Sequence, residues 1–362
     1  MLGFFAAAGV LAAEGFRMKA GLVGYAQSGK TTLFDALTGQ HKHGAAARGV
    51  NLGAIKVPDP RIDALSAIFE PKLTTFAELQ FVDVPGPAKK GSGLDAESLR
   101  ALAEVDAFCL VVRAFPGFDG APGDPERELR DFDAEVVLHD LALVEKRLER
   151  LAREHKQGSA EHHELENLHR HLDPGRPLRS MRWSDAEEKE LAHFQFLSRR
   201  PMLVVVNVPE GEAAAPPSPG VLAAAKERGC EVLSLCATIE AEIADLPPSD
   251  QPEFLASLGL AEPARARFIR AAYHLLDLVS FFTVGEDEVR AWTIHRGDKA
   301  PRAAGRIHSD LERGFIRAEV MHYQDFMAAG SEAKARHEGK LRLEGKEYVV
   351  HDGDIMNFRS GV

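Results

Sequence analysis

The chain has 362 residues, 45% of them hydrophobic and 27% charged, with a formal net charge of -11. That length and composition suit a soluble globular protein of two or three domains, and the acidic balance argues against broad nonspecific nucleic-acid binding while leaving room for a local basic patch. Cys109, Cys230 and Cys236 have no metal-binding spacing and read as free thiols in a reducing cytosol, and no apolar run is long enough to span a membrane.

Leu2 to Ala13 is apolar but follows no basic segment, so it makes a poor signal peptide; residues 1–17 read as an extension and Met18 as a possible true start. Ala20 to Val23 then reads as a short buried strand and Thr32 to Leu37 as a helix. Between them, Gly24-Tyr25-Ala26-Gln27-Ser28-Gly29-Lys30-Thr31 has the spacing G-x-x-x-x-G-K-[ST] of a phosphate-binding loop. Gly24 and Gly29 permit turns that aim successive N–H groups at a phosphate chain, and the helix start adds its own unpaired N–H groups. Gln27, Ser28 and Thr32 complete the wall, Lys30 would reach the β and γ phosphates, and the Thr31 hydroxyl would ligate Mg²⁺. Lys30 is expected to be exposed in the empty loop, so that its loss costs the fold little.

Gly39 to Asn51 has no periodicity and reads as a mobile loop. Leu52 to Val57 reads as a strand, and Asp59 caps a following helix with Pro60 in its first turn. Phe76 to Val84 reads as one strand ending in Asp83-Val84-Pro85-Gly86, the D-x-x-G that holds the Mg²⁺ shell and senses the γ phosphate in P-loop folds. Asp83 joins Thr31 as a metal candidate, and Gly86 joins Lys30 as a candidate catalytic residue. Lys89 to Gly93 looks like a flexible switch, and Val105 to Arg113 fits a central parallel strand.

Pro122 to Arg200 holds no strand. Leu141, Val144, Leu148 and Leu151, then Leu165, Leu168 and Leu172, keep helical spacing, Asp173-Pro174-Gly175 divides two halves, and Ser184 to Glu187 is a capping box. This predicts an antiparallel helical hairpin inserted between two sheet strands. His155, His162, His163, His169 and His171 match no common metal spacing, and solvated helix faces are their expected home. Met202 to Asn207 returns to the sheet, with Asn207-Val208-Pro209-Glu210 at its end. Glu231 to Cys236 is a further strand followed by Ala237-Thr238, again at the carboxyl edge where doubly wound sheets bind ligands. Pro263 to Leu278 is an amphipathic helix. Beyond Val279, short alternating runs flank one helix containing Ile307 and Leu311, a small α+β module.

The order P-loop, Asp-x-x-Gly, helical arm, Asn-x-x-Glu and small β-rich module resembles the YchF / Obg-like ATPase family over nearly all of residues 18–362. Its most specific stretches are Val57-Pro58-Asp59-Pro60-Arg61, Val144 to Leu151, Thr238-Ile239-Glu240-Ala241-Glu242, Glu288 to Ile294 and Gly314 to Glu319. The resemblance implies an α/β P-loop G domain with a mostly parallel doubly wound sheet, over 18–122 and 201–278. It implies an inserted coiled-coil arm over 123–200 and a C-terminal β-grasp (TGS) α+β domain over 279–362. It also implies slow ATP or GTP hydrolysis with Mg²⁺ in a cytoplasmic, monomeric protein, with ribosome or ribosomal RNA as partner through the TGS domain and arm and a role in stress responses.

Guanine-specific relatives read the base with Asn-Lys-x-Asp; here Val208 and Glu210 take the Lys and Asp places, which fits ATP at least as well as GTP. Backbone groups near Val208 and Cys236 are candidates to pair with adenine. One departure from the family bears on catalysis: Ala47 or Arg48 stands where the family has a switch threonine that completes the Mg²⁺ shell. Pro87 follows Gly86 where Ras-like proteins place a water-orienting Gln, but the family lacks that Gln too, so its absence does not exclude turnover. The expected function is a slow, ribosome-associated triphosphatase switch; the alternative is a non-catalytic nucleotide-binding scaffold. A P-loop small-molecule kinase fits the long apolar-striped arm badly.

Overall fold

The computed structural model describes residues 18–39, 51–86, 93–118 and 120–361. The extension 1–17, the loop 40–50 with Ala47 and Arg48, and the stretch 87–92 with Pro87, Lys89 and Lys90 lie outside the described residues.

The chain opens with β1 (Lys19–Gly24), α1 (Lys30–Thr38), β2 (Asn51–Lys56), α2 (Pro60–Phe69), β3 (Leu73–Thr75), β4 (Glu78–Asp83), α3 (Ala96–Ala103) and β5 (Ala107–Arg113). Helices α4 (Pro125–Arg153), α5 (Ala160–Leu172) and α6 (Asp185–Leu191) follow. Then come β6 (Met202–Asn207), α7 (Pro219–Glu227), β7 (Glu231–Leu235), α8 (Ala237–Asp245), α9 (Gln251–Ser257) and α10 (Ala264–Leu275). The last part holds β8 (Leu278–Thr283), β9 (Glu288–His295), α11 (Ala300–Ile307), α12 (Ser309–Arg313), β10 (Phe315–His322), α13 (Tyr323–Ala329), α14 (Glu332–His337), β11 (Arg342–Glu344) and β12 (Asp354–Ser360). No helix of the described residues is long and apolar enough to cross a membrane.

By its contacts the chain divides into two compact units, 19–53 with 80–272 and 54–79 with 273–362. The first carries a six-stranded sheet of order β2-β4-β1-β5-β6-β7. β1 pairs in parallel with β4 and β5, β5 with β6, and β6 with β7. Every residue of β5 is buried, as a central parallel strand covered on both faces requires. The carboxyl ends of β4, β1, β5, β6 and β7 therefore lie side by side and project their loops from one edge.

Helix α4 connects this core to the arm. The Asp124 carboxylate accepts the Arg127 N–H at 3.0 Å, and Pro125 begins the helix, where a missing N–H costs nothing. Leu129, Phe132 and Val136 share a core with Val23, Leu110 and Val204. Val144 and Leu151, further along the same helix, pack instead with Leu165, Leu168 and Leu172. The expected arm, starting at 123, thus has its first turns inside the sheet's own core. The helical pair is α4 against α5, turning between 153 and 160, so Asp173-Pro174-Gly175 ends α5 rather than dividing the hairpin. Asp140, fully buried, accepts the N–H groups of Leu197 and Ser198 at 3.0 and 2.7 Å and fixes the return to β6.

The second unit holds a six-stranded sheet of order β11-β10-β12-β8-β9-β3. Phe281, Trp292, Ile294, Phe315 and Val320 fill its core beneath α11. The expected strand Phe76–Val84 is β4, which joins β1 in the other sheet. The short β3 just before it carried no sequence signal and joins β9 in this sheet. Between the two, the Ala77 carbonyl accepts the Val57 N–H at 2.8 Å. The single helix expected around Ile307 and Leu311 is two. His308 is extended, and its ring nitrogen accepts the Asp310 N–H at 3.2 Å, ending α11 and starting α12. The motif residues Asp59 and Arg61 belong to this unit rather than to the nucleotide loop's.

Candidate active site

The loop after β1 turns sharply. Gly29 has φ +85°, which a side chain strains, and Gln27 adopts φ +67° although it carries one. The Ser28 N–H closes the turn on the Tyr25 carbonyl at 3.1 Å. α1 then begins at Lys30 with no side-chain cap, so its first N–H groups face the cleft unclaimed by a capping side chain. Gly86 approaches the Gly24 carbonyl so closely that a Cβ would overlap it. Both the phosphate loop and the D-x-x-G turn therefore depend on backbone-to-backbone contact.

Lys30 is not exposed. Its Nζ pairs with Asp83 and also donates to the Val84 carbonyl at 3.0 Å. The two side chains are only 14% and 15% exposed. This corrects the expectation from the loop motif alone, because the strand that supplies Asp83 lies directly beside β1.

At the other end, Asn207 joins two loops. Its Nδ2 donates to the Ser28 carbonyl at 2.9 Å, and its Oδ1 accepts the Ala237 N–H at 2.9 Å. Asn207 is 3% exposed. Val208 lines the cleft but is 7% exposed and packs into the sheet's apolar core. Its N–H already donates to the Leu235 carbonyl at 2.9 Å, and the Cys236 carbonyl accepts the Glu240 N–H at 3.1 Å. Of the backbone groups in the region expected to pair with adenine, these two are engaged within the fold. Burial pushes the Cys236 thiol up, against helix-start N–H groups that favour the thiolate.

These loops surround a cleft of about 1020 Å³. Gly24, Gln27, Ser28, Gly29, Lys30, Thr31, Thr32, Gly86, Asn207, Val208, Glu210, Cys236 and Ala237 all line it. Asp83 does not; it reaches the cleft through Lys30. Sequence reasoning missed Tyr25 and the Phe115–Phe118 loop after β5, which also line it. Phe118 is 97% exposed there, and an exposed aromatic just past a central strand was the available signal. The Tyr25 hydroxyl is buried without a hydrogen-bond partner, and burial followed by Asp131, Glu135 and Glu128 raises its pKa.

Residues 19–147 match the family model described as 50S ribosome-binding GTPase. Residues 278–361 match YchF-GTPase_C, described as a protein of unknown function. The "Ribosome-binding ATPase YchF" of Bacillus subtilis is 39% identical over 95% of this chain and 100% of its own length. The chain belongs to the YchF / Obg-like ATPase family. "Obg-like ATPase 1" of rice is 33% identical over 95% of this chain and 92% of its own. The solved YchF GTPase of Schizosaccharomyces pombe superposes with a TM-score of 0.86 at 31% identity, covering 95% and 98% of the two chains.

Two stretches that carried the YchF resemblance have structural roles in this member. Glu240 is 1% exposed and accepts the Ala264 and Arg265 N–H groups at 2.8 and 2.9 Å, anchoring the start of α10. Arg61 pairs with Asp59 at 2.7 Å and Asp352 at 2.9 Å, and its guanidinium lies 5.1 Å over the Phe282 ring. Asp352 in turn accepts the Ser280 N–H at 2.9 Å, so α2 is tied to β8 and to the turn before β12 within the second unit.

Proposed function

We propose that the chain is a slow nucleoside triphosphatase, using ATP at least as well as GTP, that acts as a ribosome-associated regulatory switch in translation or stress response. The observation that carries this reading is Asn207, which holds the phosphate loop and the β7–α8 junction together beside Val208 and Glu210, where a guanine-specific site needs Lys and Asp. The glycine loop and the start of α1 supply N–H groups to the phosphates. Lys30 exchanges its Asp83 partner for the β and γ oxygens and neutralises charge as the bond breaks. Gly86 lets its own N–H approach the γ phosphate.

A hydroxyl and a carboxylate, Thr31 beside the Lys30–Asp83 pair, are oxygen donors of the kind Mg²⁺ prefers. When bound, Mg²⁺ offsets charge on the β and γ oxygens. Thr31 would hold it directly and Asp83 through water. The ribosome enters from the relatives' names, with the arm and the C-terminal domain as the contacting parts.

Loop 39–51 contains no Ser or Thr, and that favours a second reading, a nucleotide-binding scaffold that does not hydrolyse. Steady-state phosphate release, with and without ribosomes, alongside an equilibrium Kd for ATP and GTP separates the two. Turnover stimulated by ribosomes supports the switch; tight binding without release supports the scaffold; no cosedimentation with ribosomes removes both. Ala47→Thr, with Arg48→Thr as the neighbouring control, is expected to tighten Mg·ATP binding and raise turnover.

A further inference from the structure

His162, His163 and Glu166 come together at the start of α5, just past the turn that joins it to α4. Each offers one ligand atom, and these atoms lie within 4.8 Å of one another. The Nδ1 atoms of His162 and His163 stand 3.6 and 3.5 Å from the same Glu166 oxygen. Those separations are too long for hydrogen bonds. They are close to what a metal imposes, since ligands 2.0–2.2 Å from a tetrahedral ion lie about 3.3–3.5 Å apart.

A pair of water-screened His–Glu contacts would explain the spacing of three and four residues along the helix. It leaves one fact unexplained. His162 Nδ1 is buried and has no hydrogen-bond partner, although it faces the carboxylate. A buried ring nitrogen without a partner is costly, and a cation between it and Glu166 would satisfy both. Entry is open, because the side chains of His163 and Glu166 are 65% and 48% exposed.

We propose that His162, His163 and Glu166 bind one transition-metal ion of the zinc, nickel or copper class, with water in the fourth position. Two imidazoles and one carboxylate suit those ions, whereas Mg²⁺ takes oxygen ligands in an octahedron. The ion is therefore separate from the Mg²⁺ of the nucleotide cleft. It links successive turns of α5 near the tip of the arm, where its water position is open to a donor from a partner.

The test titrates untagged full-length protein with Zn²⁺ against a chromophoric chelator and reads Co²⁺ absorption and the Zn²⁺-dependent rise in Tm. Wild type is expected to bind one equivalent and to gain thermal stability. His163→Ala and Glu166→Ala, both exposed, are each expected to weaken binding tenfold or more and lose the Tm rise while keeping circular dichroism and ATP affinity. His169→Ala, on the same helix but outside the cluster, is expected to change neither. Equal Zn²⁺ binding in all four proteins would mean adventitious histidine binding only and overturn the site, as would a wild-type Kd weaker than millimolar.

Discussion

Lys30 and Asp83, 53 residues apart, form a largely buried ion pair beneath the phosphate loop. The loop's cation is therefore held in place before any phosphate arrives, and removing it affects the fold as well as the ligand. Lys30→Ala is expected to weaken ATP binding by about a hundredfold or more. It should also cost about 1–3 kcal/mol of stability, because Asp83 is left largely buried without its partner. Adding Asp83→Asn should recover part of that stability and none of the binding. Urea unfolding and fluorescent-ATP titration measure the two effects, and an unchanged ATP affinity would overturn the phosphate-loop assignment.

Asn207 makes two buried hydrogen bonds to loops that are otherwise separate. Asn207→Ala strands the Ser28 carbonyl and the Ala237 N–H, a loss of about 2–4 kcal/mol. Asn207→Asp keeps the bond from Ala237 but sets an oxygen against the Ser28 carbonyl, and should be little better. Calorimetric unfolding tests this; a loss within experimental error would mean the two loops hold their positions without it.

The nucleotide preference is expected to favour ATP or be even, and a tenfold preference for GTP, about 1.4 kcal/mol, would contradict it. Restoring the guanine motif is not a simple surface exchange, because Val208 lies in the core. Val208→Lys should destabilise the protein without moving preference, while Glu210→Asp alone is the cleaner test. Competition of labelled ATP by both nucleotides provides the readout.

Phe118 is almost fully exposed on the β5 loop, and β5 lies between the phosphate-loop strand β1 and the base-end strand β6. It lines the same cleft as Asn207 and Ala237, and the expectation is that it stacks on the base or ribose. Phe118→Ala should weaken ATP by about 1–3 kcal/mol, the usual worth of aromatic stacking on a base. Tripolyphosphate, which has no base, should bind both proteins equally, and so separates stacking from damage to the loop.

Asp352 should make the second unit acid-sensitive. Burial opposes its charge, but the Arg61 hydrogen bond, the Ser280 N–H and the Arg61 charge outweigh burial and hold its carboxyl below the ordinary range. The stability it contributes is present above the unfolded value, about pH 4, and is lost as pH falls through the lower folded value. Urea midpoints from pH 7 to 3 should fall less steeply for Asp352→Asn than for wild type below pH 4, with equal slopes above pH 5.

The sequence by itself determined the local parts: a glycine loop between a strand and a helix, Asp59 and Ser184 as helix caps, the continuous apolar run of β5, and the family. Each rests on neighbours a few residues apart, where backbone geometry and side-chain period act directly. Only the tertiary structure decided what those parts touch. Asn207 reaches Ser28 across 179 residues, Lys30 finds Asp83 because β1 lies beside β4, and Val208 packs into the core at the wall of the cleft. A motif gives residue types in order but not which face of a strand each occupies. Likewise His162, His163 and Glu166 show no recognised metal spacing. They meet only once α5 has wound its first turns, leaving one ring nitrogen buried and without a partner.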